Sequence, residues 1–445
     1  MNLFPMLTAR AEAGRPIRIA QAGAGKFGTM FLAQARLTMG LHVAGLADLD
    51  PGRARQRLAE AGWEAERMSA TSLDQAMASG ATFVTNDAEA IIRDPRIEVV
   101  VEATGDPATG VRLARLAFAH GKSVVMVNVE ADALVGPLLA EEARRAGVVY
   151  SLAWGDQPAL IAEHVDWARA CGFAVIAAGK GTRYLPSYHA STPETVWDII
   201  RGYLKVEKHK VNLQMFNSFI DGTKSAIEMT AVCNACDLQP QAGGLTFPPA
   251  SRFELAELLK PKSEGGLLEA TGVTEVVSSL YRDGRDVPHH LAMGTYVVVT
   301  SESDYARRCF SEYAMLADKS GTYAALYRPT HMIGLELGIS VASVALRREP
   351  TGTARVWNSD VAAVAKRALK SGEMLDGEGG FTVWGRQMPA AASRAVRALP
   401  IGLAHRVRLV RDVEQGAVLT IDDVALDAGN AAVAARAELV ARYAR

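Results

Sequence analysis

Gly23, Gly25 and Gly28 have the spacing G-x-G-x-x-G, between an apolar run at 17–22 and a stretch of helical spacing at 29–37. The chemistry this spacing suits is phosphate binding. The first glycine permits the tight turn, the second lets backbone approach a pyrophosphate, and the third lets helix pack on strand. Lys26 and Phe27 fill the loop before the last glycine, where a helix N-terminus would offer unpaired N–H groups to the same anion. Asp48 stands twenty residues past Gly28, placed to bond a ribose 2′-OH and to repel a 2′-phosphate. Arg53 and Arg55 follow; they can clamp that phosphate or form a solvated helix face, so the local residues leave NAD and NADP open. Glu102-Ala103-Thr104-Gly105 and Asn128-Val129-Glu130 end two further β-branched runs, where a nicotinamide is expected. For Glu130 a surface-loop charge is the alternative.

A second group of residues lies in the middle of the chain. Asp221 and Lys224 sit three apart at a predicted helix start, before 225–236. The carboxylate can hold the ammonium, and a lysine so held can give a proton to a carbonyl oxygen during hydride transfer. The bland alternative is a capping pair at the helix dipole. Lys180 and Arg183 lie in a glycine-rich loop, and Tyr327-Arg328-Pro329-Thr330-His331 keeps Arg328 extended because Pro329 disfavours helix before it. Together they suggest an anion pocket, with His331 opening a buried helix over 332–345. His189 stays ambiguous in its loop, and His289-His290 reads as surface. Cys233 and Cys236 form one C-x-x-C pair, but no second pair completes a zinc site and the stretch reads as helix. Glu130, Asp221 and Glu228 have no recognisable metal-ligand spacing, so a metal site stays unassigned.

The elements that must position these groups alternate strand and helix up to about residue 152, which implies a parallel, doubly wound sheet. The middle of the chain reads as α+β, and the segment after 350 as short strands around turns. The expected division is 1–155, 156–350 and 351–445. The 445 residues are 49% hydrophobic, enough for a large core and against disorder. With 48 Lys plus Arg against 49 Asp plus Glu, a globally basic nucleic-acid binder is disfavoured. Four cysteines make no disulfide framework. No export signal or membrane span is legible, so a cytoplasmic location is expected.

These motifs, with Leu375-Asp376-Gly377-Glu378-Gly379-Gly380, resemble the homoserine-dehydrogenase-like oxidoreductases nearly end to end. Within them the chain is similar to the reductoisomerase-like, type II branch of the 1-deoxy-D-xylulose 5-phosphate reductoisomerases. About 400–430 resembles a SAF module. The resemblance implies a Rossmann domain for NADP(H), a central catalytic and dimerisation domain, a small β-rich C-terminal domain and a homodimer. It implies a phosphorylated small-molecule substrate, which suits the anion set of Lys180, Arg183, Tyr327, Arg328 and His331, and Lys224, Asp221 and Lys180 are the catalytic candidates at the carbonyl. Chelation of a ketose carbonyl and its neighbouring hydroxyl is chemistry that Mg or Mn would serve. Val129 stands where homoserine dehydrogenases and type I reductoisomerases carry lysine. Two alternatives remain: a dehydrogenase of homoserine or another small hydroxy acid, and a nicotinamide-sensing protein without placed acid–base groups.

Overall fold

Six short strands, β1 (Ile17–Ala22), β2 (Leu41–Ala47), β3 (Phe83–Thr85), β4 (Val99–Glu102), β5 (Ser123–Met126) and β6 (Tyr150–Leu152), form one all-parallel sheet in the order β3-β2-β1-β4-β5-β6. This is the doubly wound order in which the chain reverses direction beside β1, and the crevice at such a switch point is where dinucleotides bind. The structure, a computed structural model, describes residues 2–202 and 207–443. Its contacts divide the chain into two compact units. The first is Met1–Leu160 with Met332–Arg355 and Asn430–Arg445; the second is Ile161–His331 with Val356–Gly429.

In the first unit the strands are buried on both faces, as parallel strands covered by helices must be. The core joins Ile17, Ile19 and Leu46 of the sheet to Phe31 and Leu32 of the helix Lys26–Ala35, and to Leu337 and Val341 from late in the chain. The last helix, Ala431–Tyr443, returns to this unit: the buried Arg436 donates to the Leu134 carbonyl, and Arg442 pairs with Glu141. The 351–445 segment expected as one domain thus contributes to both compact units.

The second unit holds a mixed sheet of β7 (Ala174–Thr182), β8 (Gln239–Pro240), β9 (Val273–Ser278), β10 (Thr295–Thr300), β11 (Leu316–Ala317) and β12 (Tyr323–Arg328), in the order β11-β12-β10-β7-β9-β8. The helix Thr223–Cys236 belongs to it and is buried along its whole length. The expected short strands late in the chain are β13 (Ser359–Ala365), β14 (Met374–Asp376), β15 (Val383–Pro389), β16 (His405–Leu409) and β17 (Val424–Ala425), all in antiparallel pairs.

One expected element moves. The helix predicted over 332–345 spans Gly338–Arg347 instead. Gly334 has φ +80°, and a Cβ there would lie 2.6 Å from the Phe27 carbonyl oxygen, so the chain turns too sharply to be helical at that point. The apolar residues before Gly338 still pack against the core, which is why they imitate a helix in the sequence.

The three fingerprint glycines differ in what they tolerate. A Cβ on Gly28 would lie 2.5 Å from the Gly23 oxygen and 2.7 Å from Gln21 Nε2, whereas one on Gly25 meets nothing within 4 Å. Gly28→Ala is therefore expected to cost about 1–3 kcal/mol through overpacking. Gly25→Ala should cost no more than about 1 kcal/mol as a changed helix cap, and weaken dinucleotide binding instead. Melting curves with and without NADPH separate the two; equal destabilisation would refute the assignment.

Candidate functional site

In the first unit Gly23, Gly25, Asp48, Arg53 and Thr104 line one crevice of about 530 Å³, together with Asp106 and Arg112. Gly25 precedes the helix Lys26–Ala35 with no side chain capping its N–H groups, which leaves that helix end to an anion. Asp48 is held firmly: one oxygen accepts from Ala24 N–H at 2.9 Å, the other from Asp50 N–H at 3.1 Å and from the Arg53 guanidinium at 3.0 Å. Burial pushes its carboxyl up, but these donors outweigh burial and hold it below the ordinary carboxylate value. The set fits a dinucleotide, with a glycine edge for the pyrophosphate and a fixed carboxylate for the ribose.

The remaining expected cofactor residues lie around the crevice without lining it. Gly28 packs against the Gly23 oxygen, Phe27 against the core, and Lys26 opens the helix with its pKa lowered by burial. Gly105 takes a turn conformation at φ +73°. Asn128 caps the helix Val129–Arg145 and donates from Nδ2 to the Asp106 carbonyl at 3.0 Å, while Glu130 is buried in that helix's first turn. Sequence reasoning missed Asp132. It is buried, accepts from Tyr150 O–H at 2.9 Å, and burial pushes it up to about 7. Burial likewise pushes Glu102 up to about 7, against the hydrogen bonds from Thr104; among the described residues its Oε2 has no hydrogen-bond partner.

In the second unit, sheet register creates a row that the sequence does not announce. Lys180 on β7 faces Thr295 on β10, and Thr295 faces Arg328 on β12. Directly paired residues share a sheet face, so Lys180 and Arg328 flank one threonine on the same side. Thr295 Oγ1 bonds His164 Nε2 at 3.0 Å, and burial lowers that imidazole to about 4, with Arg328 adding to the effect. The buried Lys180 ammonium pairs with the buried Glu228 carboxylate. Glu228 lies four residues after Lys224 in the helix Thr223–Cys236, so the two share a helix face. Lys180, Glu228, Thr295, His164 and Arg328 thus form the polar group on this face, with Lys224 one helical turn before Glu228.

Other expectations need correction. Asp221 does not hold Lys224: its carboxylate accepts from Lys366 Nζ at 2.8 Å and from Thr223 N–H at 2.9 Å. Gly222, at φ +91°, turns the chain between them. Tyr327 does not join Arg328. Successive strand residues point to opposite faces, and Tyr327 packs into the core on the far side, with the Arg252 guanidinium 5.6 Å from its ring centre. Arg183 lies past the end of β7 and pairs with Asp286 at 2.8 Å, outside the row. His331 opens no helix; its Nδ1 donates to the Met293 carbonyl at 2.9 Å.

Asp221 and Glu228 are each committed to a lysine, and among the described residues no group of three or more His, Cys, Asp or Glu is placed to hold a metal. Cys233 and Cys236 are buried in the helix, and burial pushes the Cys233 thiol up to about 12, far from redox reactivity. Among the described residues no helix is long and apolar enough to cross a membrane.

Comparison with known proteins agrees with this division of labour. Residues 23–152 match the family model for the NAD binding domain of homoserine dehydrogenase, and residues 155–337 match that for the catalytic domain of oxidoreductase DRL. Together the two matches support an NAD(P)-dependent oxidoreductase. No curated protein matches the sequence. Among solved structures, an NAD binding oxidoreductase from Klebsiella pneumoniae is 20% identical over 40% of this chain and 47% of its own, with a TM-score of 0.28. Levoglucosan dehydrogenase in complex with NADH and levoglucosan is 17% identical over 40% and 46%, at 0.28. A probable dehydrogenase from Thermotoga maritima is 12% identical over 75% and 90%, at 0.35. The chain spans about half the length of the first two of these.

The buried acids of the first unit carry a pH signature. Glu102 and Asp132 titrate at about 7 when folded but near the ordinary carboxylate value of ~4 when unfolded. Between those values the folded chain binds protons that the unfolded chain has released, so stability falls as pH rises through ~4–7 and levels off above. Each group is expected to cost about 4 kcal/mol at the upper end. Melting temperature against pH should show this decline, and Glu102→Gln with Asp132→Asn should flatten it. An unchanged slope in the double variant would contradict the assignment.

Proposed function

We propose that this chain is an NADPH-dependent reductoisomerase acting on 1-deoxy-D-xylulose 5-phosphate and giving 2-C-methyl-D-erythritol 4-phosphate. The observation that carries the reading is the row Lys180–Thr295–Arg328, on the face shared with Glu228 and Lys224. This ketose phosphate presents a dianion at one end and, at the other, a methyl ketone with a hydroxyl on the neighbouring carbon. Arg328, at the end of its strand, supplies a planar fork of donors suited to the phosphate. Lys180, fixed by Glu228, and Thr295, fixed by His164, supply donors for oxygens nearer the reacting carbons. The carbon skeleton rearranges first, one C–C bond breaking as another forms, to a branched aldehyde isomeric with the substrate; Lys224 then gives its proton to the aldehyde oxygen as hydride arrives. The match of residues 155–337 to the DRL catalytic domain and the end-to-end resemblance in sequence support the same reading.

The nicotinamide supplies the hydride when bound. Gly23 and Gly25 would meet its pyrophosphate, and Asp48 and Arg53 its adenine ribose. In this reading Arg53 leaves Asp48 to meet the 2′-phosphate, so Arg53→Ala raises the KM for NADPH and leaves that for NADH nearly unchanged.

Purified protein should oxidise NADPH with 1-deoxy-D-xylulose 5-phosphate and hardly at all with the unphosphorylated ketose, since binding energy from the remote phosphate aligns the reacting carbons. Arg328→Ala should damage turnover of the phosphate ester far more than that of any neutral analogue. Lys224→Ala should lose ~10²–10⁴ in kcat while still binding cofactor. Turnover of homoserine but not of the ketose phosphate would favour the hydroxy-acid dehydrogenase, whose NAD binding domain residues 23–152 match. Turnover of neither would leave an oxidoreductase with another substrate.

A further inference from the structure

His189 lies in a short helical turn, Pro186–Ala190, at the junction on which Lys224 depends. Its Nδ1 is 2.7 Å from the Asp221 carbonyl oxygen and its Nε2 is 2.8 Å from the Tyr184 hydroxyl. A carbonyl can only accept, so Nδ1 carries the proton. The neutral ring then offers Nε2 as acceptor, and Tyr184 O–H donates to it. Both hydrogen bonds are satisfied in that one tautomer alone.

The ring is also held from its faces and edge. Trp384 stacks on it with centroids 3.7 Å apart at 19°, and Tyr184 in turn stacks on Phe247 at 3.9 Å. Phe247 takes φ +51°, a conformation costly for an aromatic residue, and its N–H is held by the buried Glu275 carboxylate. On the other side the imidazole sits against Gly222: a Cβ there would approach His189 Cε1 to 3.2 Å.

We infer that His189 is a positioning residue for Lys224, acting through the Asp221–Gly222 turn. Three contacts converge on residues 221–223. His189 binds the Asp221 carbonyl, which ends the helix Leu213–Ile220; Lys366 binds the Asp221 carboxylate; and Thr223 Oγ1 accepts from Gly385 N–H at 2.8 Å. Lys224 is the next residue. With the turn fixed on both sides, its side chain starts from a defined point in the first turn of the helix. Without His189 the Asp221 carbonyl loses its partner and the left-handed turn loses the ring that covers it. This role rests on the reading of Lys224 as the proton donor.

The groups facing the ring are the Asp221 carbonyl, the Lys366 ammonium that pairs with the Asp221 carboxylate, the Tyr184 phenol with the Arg282 guanidinium 5.9 Å from its ring centre, and Glu275 beyond. Protonating His189 turns Nε2 into a donor and ends the bond from Tyr184. Burial, with Lys366 adding to it, keeps that protonation below the ordinary histidine range.

The test uses the full chain and has two independent arms. In the first, ¹⁵N NMR of the wild type at pH 7.5 should show a His189 ring protonated at Nδ1 only. In His189→Ala, hydrogen exchange in the 221–226 peptide should accelerate at least tenfold, with the strands Ala174–Thr182 and Thr295–Thr300 unchanged. In the second arm, kcat for 1-deoxy-D-xylulose 5-phosphate should fall at least tenfold in His189→Ala with little change in the KM for NADPH. His189→Asn keeps a donor for the Asp221 carbonyl, so it should recover part of that loss and remove an acid limb from the wild-type pH profile. Proton on Nε2, or exchange at 221–226 that His189→Ala does not alter, overturns the inference. If His189→Ala does not fold, the exchange comparison is made on His189→Phe, which keeps a ring to stack on Trp384 but gives the Asp221 carbonyl no donor; acceleration confined to 221–226 supports the role and none overturns it. If the wild type fails to turn over the ketose phosphate, the proposed function fails while the first arm still decides the positioning role.

Discussion

Lys366 spends all three of its ammonium protons inside the second unit, on the Ser191 carbonyl at 2.7 Å, the Asp221 carboxylate at 2.8 Å and the Gly380 carbonyl at 2.7 Å. Each partner comes from a different stretch of chain: the loop after residue 190, the start of the Lys224 helix and the late β-rich segment. Burying a charge pair costs several kcal/mol in lost hydration, and only a full set of hydrogen bonds offsets that loss. Removing the lysine alone would strand a buried carboxylate beside the candidate proton donor. The late β-rich segment therefore reaches the start of the helix Thr223–Cys236, because Lys366, just past β13, supplies the charge that fixes the turn before it.

The same logic of paired buried charge extends along the helix Thr223–Cys236. Glu228 holds Lys180 on the sheet, Lys366 holds Asp221 before the helix, and His189 holds the carbonyl of that same aspartate. Low dielectric makes each pair strong once formed and costly if left half-made, so the group is rigid as a set. In the proposed function, that rigidity would suit the presentation of several donors to one small, polar substrate.

Parts of this arrangement were legible in the residues alone, because they depend on neighbours in sequence. The strand, glycine turn and helix around Gly23–Gly28, and the carboxylate at Asp48, are local patterns, and the structure gathers Gly23, Gly25, Asp48, Arg53 and Thr104 at one crevice. The two-residue period of a strand was equally available, and it separates Tyr327 from Arg328, which the motif had joined. Lys366 lies 145 residues from Asp221 and Thr295 is one threonine among many in β-branched company, so neither carries a local signal. Asp221 and Lys224 were three apart and plausible as a pair; the positive φ of Gly222 and a distant lysine decided otherwise.

The central claim is that the ketose phosphate first rearranges, one C–C bond breaking as another forms, to an isomeric branched aldehyde, and that a hydride from the nicotinamide then reaches that aldehyde carbon while Lys224 protonates its oxygen. It is tested most directly by incubating the protein with 1-deoxy-D-xylulose 5-phosphate and NADPH deuterated at the transferring position of the nicotinamide, then reading the sugar product by NMR. One deuterium per product molecule, on the carbon reduced to an alcohol and missing when Lys224→Ala replaces the wild type, is the predicted result. Intact ketose phosphate, or a product that carries no deuterium while NADPH is consumed, would contradict it.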